Sequence, residues 1–367
     1  VDYQAGEEMG YCRLSANLST FLPKKLTMTQ YLKDLTMLFD RGQSVIAVQT
    51  PLTERRKVLE LLYELAHSRG LPLYFWNQGY SHLQKVQLFS LDRVNKVRLT
   101  PTMFAVTDGL LWLVSSNEPG IFAIEGACSP DAIAGTFPQQ KAATLSNLAY
   151  DLALNNSQQL LVCLESYIEL PPELVPLIPV LVNPLPSAID VKAVVQDYCA
   201  SRFEWKDEGE SEFKTLIRTC LGLPMGELEI VLQRVLGFVN SPTRLNEAVL
   251  DYKKSKLKGQ GIEFLSEPDV PETGGLDLLE GMLTRAAALL KPEAKKHHLK
   301  FPKGYILWGP PGTGKSLSAK LAAKKMSVPM VAADWAGLRG TTAYESRKNL
   351  REFLQFCDAN GEYGLVL

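Results

Sequence analysis

Eight consecutive residues constrain this chain most: Gly309-Pro310-Pro311-Gly312-Thr313-Gly314-Lys315-Ser316, which fit G-x-x-x-x-G-K-[ST] at every position. The flanks agree with the motif. Residues 305–308 (YILW) read as a short apolar strand, and from Lys315 the positions Leu317, Leu321, Ala322 and Met326 read as one face of a helix. A strand that runs into a glycine-rich loop opening a helix forms an anion cradle. Gly309, Gly312 and Gly314 let the backbone turn and approach a ligand without a Cβ in the way. Successive backbone N–H groups then point inward as a nest, and the helix N-terminus adds the positive end of its dipole. In such a loop Lys315 supplies a point charge for β- and γ-phosphates and Ser316 a hydroxyl for Mg²⁺. The candidate cofactor-binding residues are therefore Gly309, Pro310, Pro311, Gly312, Thr313, Gly314, Lys315, Ser316 and Leu317, with Ser316 also the metal ligand; no catalytic residue is assigned.

Composition narrows what the rest can be. The 367 residues are enough for two to three domains, with 46% hydrophobic and 22% charged, the values of a globular chain whose core needs no staple. Lys and Arg number 39 against 40 Asp and Glu, a net charge of −1. That balance speaks against a generally basic nucleic-acid binder and leaves room only for a local patch. No apolar run reaches about 18 residues, so no membrane span is expected. No two of the six cysteines lie within four positions of each other, which removes the short-spaced zinc patterns; buried free thiols in a reducing compartment are expected. His297 and His298 sit in a basic run with the lysines at 291, 295, 296, 300 and 303, read as a solvated helix face. The chain opens on Val1 rather than Met, without a signal-peptide pattern, and is expected to be part of a longer product.

Upstream of residue 260, strands and helices alternate. Residues 31–39 carry apolar positions at helical spacing; 44–49 (SVIAVQ) form a buried-type strand; Thr53 is placed to cap a helix over 54–69; and 71–76 (LPLYFW) form a second strand. Strand, helix, strand with short joins implies a parallel βαβ unit. Residues 77–120 have apolar runs without a strong period. Residues 121–124 and 160–164 read as strands, 141–155 as a helix between them, and 178–182 as a further strand. Helices are expected over 188–199, 212–221, 227–236 and, lysine-rich, 246–258, before a loop over 266–275 and a strand over 328–332. The continuous apolar strands indicate a parallel sheet covered on both faces.

GPPGTGKS after PKGYILW resembles the AAA+ ATPase form of the phosphate loop. Tyr344 to Glu352 resembles the stretch after that family's pore-side loop, and 364–367 (GLVL) the strand leading to its Walker B acids. Lys253-Lys254, Gly259 and Ile262-Glu263-Phe264, followed by Gly274-Gly275-Leu276-Asp277, are similar to the Ycf-forty-six group of cyanobacteria and plastids.

The resemblance implies an α/β, parallel-sheet P-loop NTPase architecture: an N-terminal degenerate AAA-like domain with a helical lid, then an incomplete C-terminal AAA+ core. The implied boundaries are 28–187 for the degenerate domain, 188–258 for the lid and linker helix, and 262–367 for an ATPase core cut before the Walker B acids. After strand 44–49 comes Thr50-Pro51-Leu52-Thr53-Glu54-Arg55-Arg56, with no glycine or lysine to hold phosphate and with Glu54 to repel it; Glu125 stands at the Walker B position. Gly274 to Asp277 is a candidate adenine-side contact, and Asp334, Trp335, Leu338 and Arg339 a candidate partner-facing or pore-facing loop. The resemblance further implies ATP and Mg²⁺ as cofactors, hydrolysis by the complete protein, homo-oligomerisation, a protein partner, and a bacterial cytoplasmic or plastid stromal location with a role in regulating photosynthesis or carbon uptake. An ATP-gated scaffold with little hydrolysis is the alternative.

Overall fold

Val45–Gln49 (β1) is buried at all five positions, so neither face of this strand can meet water. Its residues divide by parity. Val45 and Ala47 join one apolar cluster, Ile46 and Val48 the other. Leu73–Trp76 (β2), Gly120–Glu125 (β5) and Gln159–Glu165 (β6) split in the same way, so one sheet carries a core on each side. The computed structural model describes residues 28–91, 94–131, 135–154, 158–199, 209–239, 241–258, 262–265, 275–289, 294, 296–297, 305–326, 330–360 and 365–366.

The first sheet has the order β4-β3-β2-β5-β6-β1-β7, with His82–Leu91 (β3), Val94–Ala105 (β4) and Val180–Val182 (β7). From β2 to β7 every pairing is parallel; β3 and β4 add an antiparallel hairpin at the β2 edge. Met28–Asp40 (α1) and Arg55–Ser68 (α2) cover one face. Gly109–Ser115 (α3) and Gln139–Leu154 (α4) cover the other.

The expected parallel unit of β1, α2 and β2 is present, with β5 and β6 lying between its two strands. Two expectations are corrected here. The stretch 77–120 is not irregular: it holds β3, β4 and α3, whose mixed polar and apolar alternation carries no helical period. Thr53 does not cap α2. Leu52–Glu54 forms a 3₁₀ turn closed by Glu54 N–H to Pro51 O (2.9 Å), α2 starts at Arg55, and no side chain caps it.

Ala188–Cys199 (α5), Gly209–Cys220 (α6), Met225–Leu236 (α7) and Pro242–Lys258 (α8) share one cluster built on Val191, Leu216, Leu228, Leu232 and Leu245. Beyond it, Ile262–Leu265 (β8), Met330–Ala333 (β9) and Leu365–Val366 (β10) form a second sheet in the order β10-β9-β8, with β10 parallel and β8 antiparallel to β9. Asp277–Ala288 (α9) packs on Lys315–Met326 (α10), and Ala343–Asn360 (α11) packs over β8 and β9.

The expected strand at 305–308 is the main departure. It is absent from the second sheet, and Ile306 and Trp308 are each 96% exposed. A strand exists only through a hydrogen-bonded neighbour, and no described strand lies beside this one. Among the described residues the three strands of the second sheet are therefore β8, β9 and β10.

Candidate functional site

The loop 309–316 has the backbone its sequence calls for. Gly312 (φ +81°) and Gly314 (φ +79°) occupy the left-handed region, where a side chain would be strained. Thr313 Oγ1 donates to Pro310 O at 2.9 Å and pins the turn. Lys315 Nζ folds back on the loop, donating to Gly309 O at 2.8 Å and Pro310 O at 2.6 Å. The ammonium thus spans the mouth of the loop on carbonyl partners that an anion can replace. The first four N–H groups of a helix have no intrahelical acceptor. In α10 the carbonyl of Gly314 accepts from Ser318 N–H (2.8 Å) and Ser318 Oγ (2.9 Å), which anchors the first turn while the groups before it stay at the loop. Ser316 is exposed, and Leu317 packs into the α9–α10 cluster, fixing the helix's direction. Charge, dipole and N–H groups converge on one small volume. The arrangement fits a phosphate chain with a hydroxyl at its edge for a divalent cation.

Other residues marked by sequence lie elsewhere. Leu276 packs against α10, while Asp277 opens α9; Gly274 is outside the described residues. Asp334 caps a helical turn, Trp335–Leu338, by accepting from Ala336 N–H at 3.0 Å; Trp335 is 74% exposed and Leu338 buried. His297 and Lys296 are exposed, whereas His298 and the lysines at 291, 295, 300 and 303 are outside the described residues.

Counting only the parallel strands, the first sheet runs fifth, first, fourth, third, second in chain order, which places a switch point beside β1. Ligands of open sheets bind outside the carboxyl ends of strands at such a point. Here an internal ion pair stands at that place. Arg55 Nε lies 2.7 Å from Glu125 Oε1, and Asn77 Nδ2 donates to Glu125 Oε2 at 2.9 Å. A cavity of about 420 Å³ remains above the pair. Glu54, only 3% exposed, turns away and accepts from Gly226 N–H at 2.7 Å, at the start of α7. Burial raises its carboxyl above the ordinary range despite that bond.

With this geometry in place, comparison with known proteins is informative. Residues 305–366 match the ATPase family associated with various cellular activities (AAA). The chain is also 28% identical over 353 residues to a Guillardia theta protein described as an uncharacterized AAA domain-containing protein ycf46, covering 91% of this chain. A ycf46 protein of Trieres chinensis is 29% identical over 152 residues, 40% of this chain and 30% of that one. A peroxisomal ATPase, PEX6 of Debaryomyces hansenii, is 32% identical over 116 residues, 31% of this chain and 10% of that one. The chain spans 63% of the length of the Guillardia protein. The resemblance to AAA proteins and to ycf46 is thereby shown, as is an α/β architecture of the P-loop NTPase kind. Among the described residues no helix is long and apolar enough to cross a membrane.

Sequence reasoning missed two polar groups. One is the bond from Gly226 to Glu54. The other is Lys253, fully buried, whose Nζ donates to Leu221 O (2.7 Å), Thr219 O (3.2 Å) and Asn360 Oδ1 (3.3 Å). Its spacing held a signal: 245, 249, 253 and 257 form the buried stripe of α8.

Proposed function

We propose that this chain binds ATP with Mg²⁺ at residues 309–317 and that the complete protein hydrolyses it to remodel or regulate a protein partner. The observation that carries the reading is the left-handed loop at Gly312 and Gly314 with the Lys315 ammonium folded across it at the head of α10. Gly312, Thr313 and Gly314 would present backbone N–H groups to the phosphates, Lys315 would hold the β- and γ-oxygens, and Ser316 the metal. Mg²⁺, when bound, supplies charge neutralisation on those oxygens. The reading divides the chain into a degenerate AAA-like unit (28–187), a helical lid and linker (188–258) and an ATPase core (262–367). It extends to a homo-oligomer in a bacterial cytoplasm or plastid stroma, with a regulatory role in photosynthesis or carbon uptake.

A second reading, an ATP-gated scaffold with little turnover, draws on the Arg55–Glu125 pair, an internal ion pair at the switch point of the first sheet. ATP binding and turnover by the complete protein, beside Lys315→Ala, test both. Tight binding with turnover lost in the variant supports the enzyme. Binding lost in the variant without turnover in the wild type supports the scaffold. Equal ATP binding in both proteins overturns the site itself.

A further inference from the structure

The hairpin β3–β4 contributes nothing to the phosphate loop, yet it is the longest antiparallel feature of the molecule's described part. Its register sorts its side chains. Val86 opposite Leu99 and Leu88 opposite Val97 form the inner face, with Val86, Val97 and Leu99 in the cluster of α2. On the outer face Lys85 stands opposite Thr100, Gln87 opposite Arg98, and Phe89 opposite Lys96. Lys85, Gln87 and Arg98 are exposed, and Phe89 is 43% exposed. Neither strand contains an Asp or a Glu. Among the described residues Lys85, Lys96 and Arg98 have no carboxylate partner. In a chain whose charges otherwise balance, three unpaired cations beside an exposed aromatic ring need a reason.

Strand addition is not that reason. β4 is the edge of the sheet, but Pro101 removes one donor from it, and Lys96 and Arg98 are the residues that discourage edge pairing. The face is a better platform than the edge. Alternate residues on a strand lie about 6.8 Å apart, so Lys96 and Arg98 make a short cationic row. Phe89 stands directly across from it, and Gln87 offers an uncharged donor and acceptor, while Thr100 Oγ1 donates to Lys85 O at 3.2 Å. A flat sheet face with an open aromatic ring and flanking cations can stack an unpaired base while it neutralises the backbone.

We propose that the outer face of β3–β4, built on Lys85, Phe89, Lys96 and Arg98, docks single-stranded nucleic acid. Fluorescence anisotropy with labelled oligothymidylate of about twenty nucleotides tests this on the full chain, with a duplex and polyglutamate as competitors. Three phosphate contacts give a log–log salt slope of about −2. Lys96→Glu/Arg98→Glu should weaken binding by about tenfold or more and flatten the slope. Phe89→Ala should weaken it by about fivefold or more with the slope unchanged, because stacking releases no counterion. Superimposable melting curves show that the variants fold; Arg98→Gln alone serves where the double variant does not. No binding at about 50 mM salt, or wild-type binding by both variants, overturns the proposal. Stronger competition by polyglutamate assigns the face to an acidic protein, and stronger competition by duplex removes the single-strand assignment; either result overturns it as stated.

Discussion

Glu54 ends the 3₁₀ turn before α2, at the place where a phosphate loop would present its N–H groups to an anion, and its carboxylate is held instead by the N-terminus of another helix. The fit is close: a Cβ on Gly226 would lie 2.0 Å from Thr53 O, inside any permitted contact. Gly226→Ala should therefore displace α7 from the 3₁₀ turn and cost about 1–3 kcal/mol or more. Glu54→Ala leaves Gly226 N–H buried without an acceptor, a loss of about 1–3 kcal/mol. Glu54→Gln keeps an acceptor and removes the buried charge. The raised carboxyl sets the sign: its contribution to stability is complete below the unfolded value of 4.5 and is lost as pH rises through the folded value. Urea melts should find Glu54→Gln at least as stable as wild type at pH 8, with its advantage shrinking toward pH 5. A Glu54→Gln that falls as far as Glu54→Ala at pH 8 contradicts this account. The sequence marks Glu54 as a residue that would repel phosphate. It could not show the acceptor role, because the partner is 172 positions away.

At the scale of elements, local pattern succeeded where burial is periodic and failed where a contact is tertiary. β1, β5 and β6 were legible as unbroken apolar runs, and α2 by its spaced apolar stripe. The hairpin was not, since its two faces meet different neighbours and neither reads as clean alternation. α8 shows both outcomes. Its helix was evident as a lysine-rich one, but nothing local sets apart Lys253, which joins α6, β8 and α11. Its ammonium lies 4.7 Å from the Phe264 ring and 5.2 Å from the Phe356 ring. Burial pulls its pKa down to about 7. A lowered base contributes stability that is present above its unfolded pKa and lost as pH falls through the folded value. Between about pH 7 and 8.5 wild type should gain about 1–2 kcal/mol that Lys253→Met does not, since the thiols common to both proteins cancel. Parallel stability–pH profiles for the two proteins in that window would show that Lys253 is not the buried amine described.

For the whole molecule, what matters is whether the phosphate-loop core and the first sheet unfold together. The phosphate loop was read entirely from its own residues, because its conformation is dictated locally by glycine. The run at 305–308 was misread as a strand because pairing is not a local property. Contacts between the two parts differ greatly in weight. Arg347–Glu169 is an exposed pair that solvent screens to little net weight. Tyr344 donates to Tyr167 O at 3.0 Å and packs edge-on against its ring. A buried contact ties α11 to the helical group instead: Gly222, in the left-handed region at φ +85°, lets α11 approach the end of α6, with a would-be Cβ 2.5 Å from Asn360 Nδ2 and 2.9 Å from the Phe356 ring. Gly222→Ala therefore combines backbone strain with overpacking, about 1–3 kcal/mol placed at the seam itself. Wild type should melt with coincident transitions by two probes: near-ultraviolet signal from Trp76 and Trp112, which pack with the first sheet, and hydrogen exchange of α11. In Gly222→Ala, α11 should exchange at lower temperature while the tryptophan transition holds. If the two probes stay coincident and shift together, the seam is not where the molecule divides, and the helices α5 to α8 belong equally to both cores.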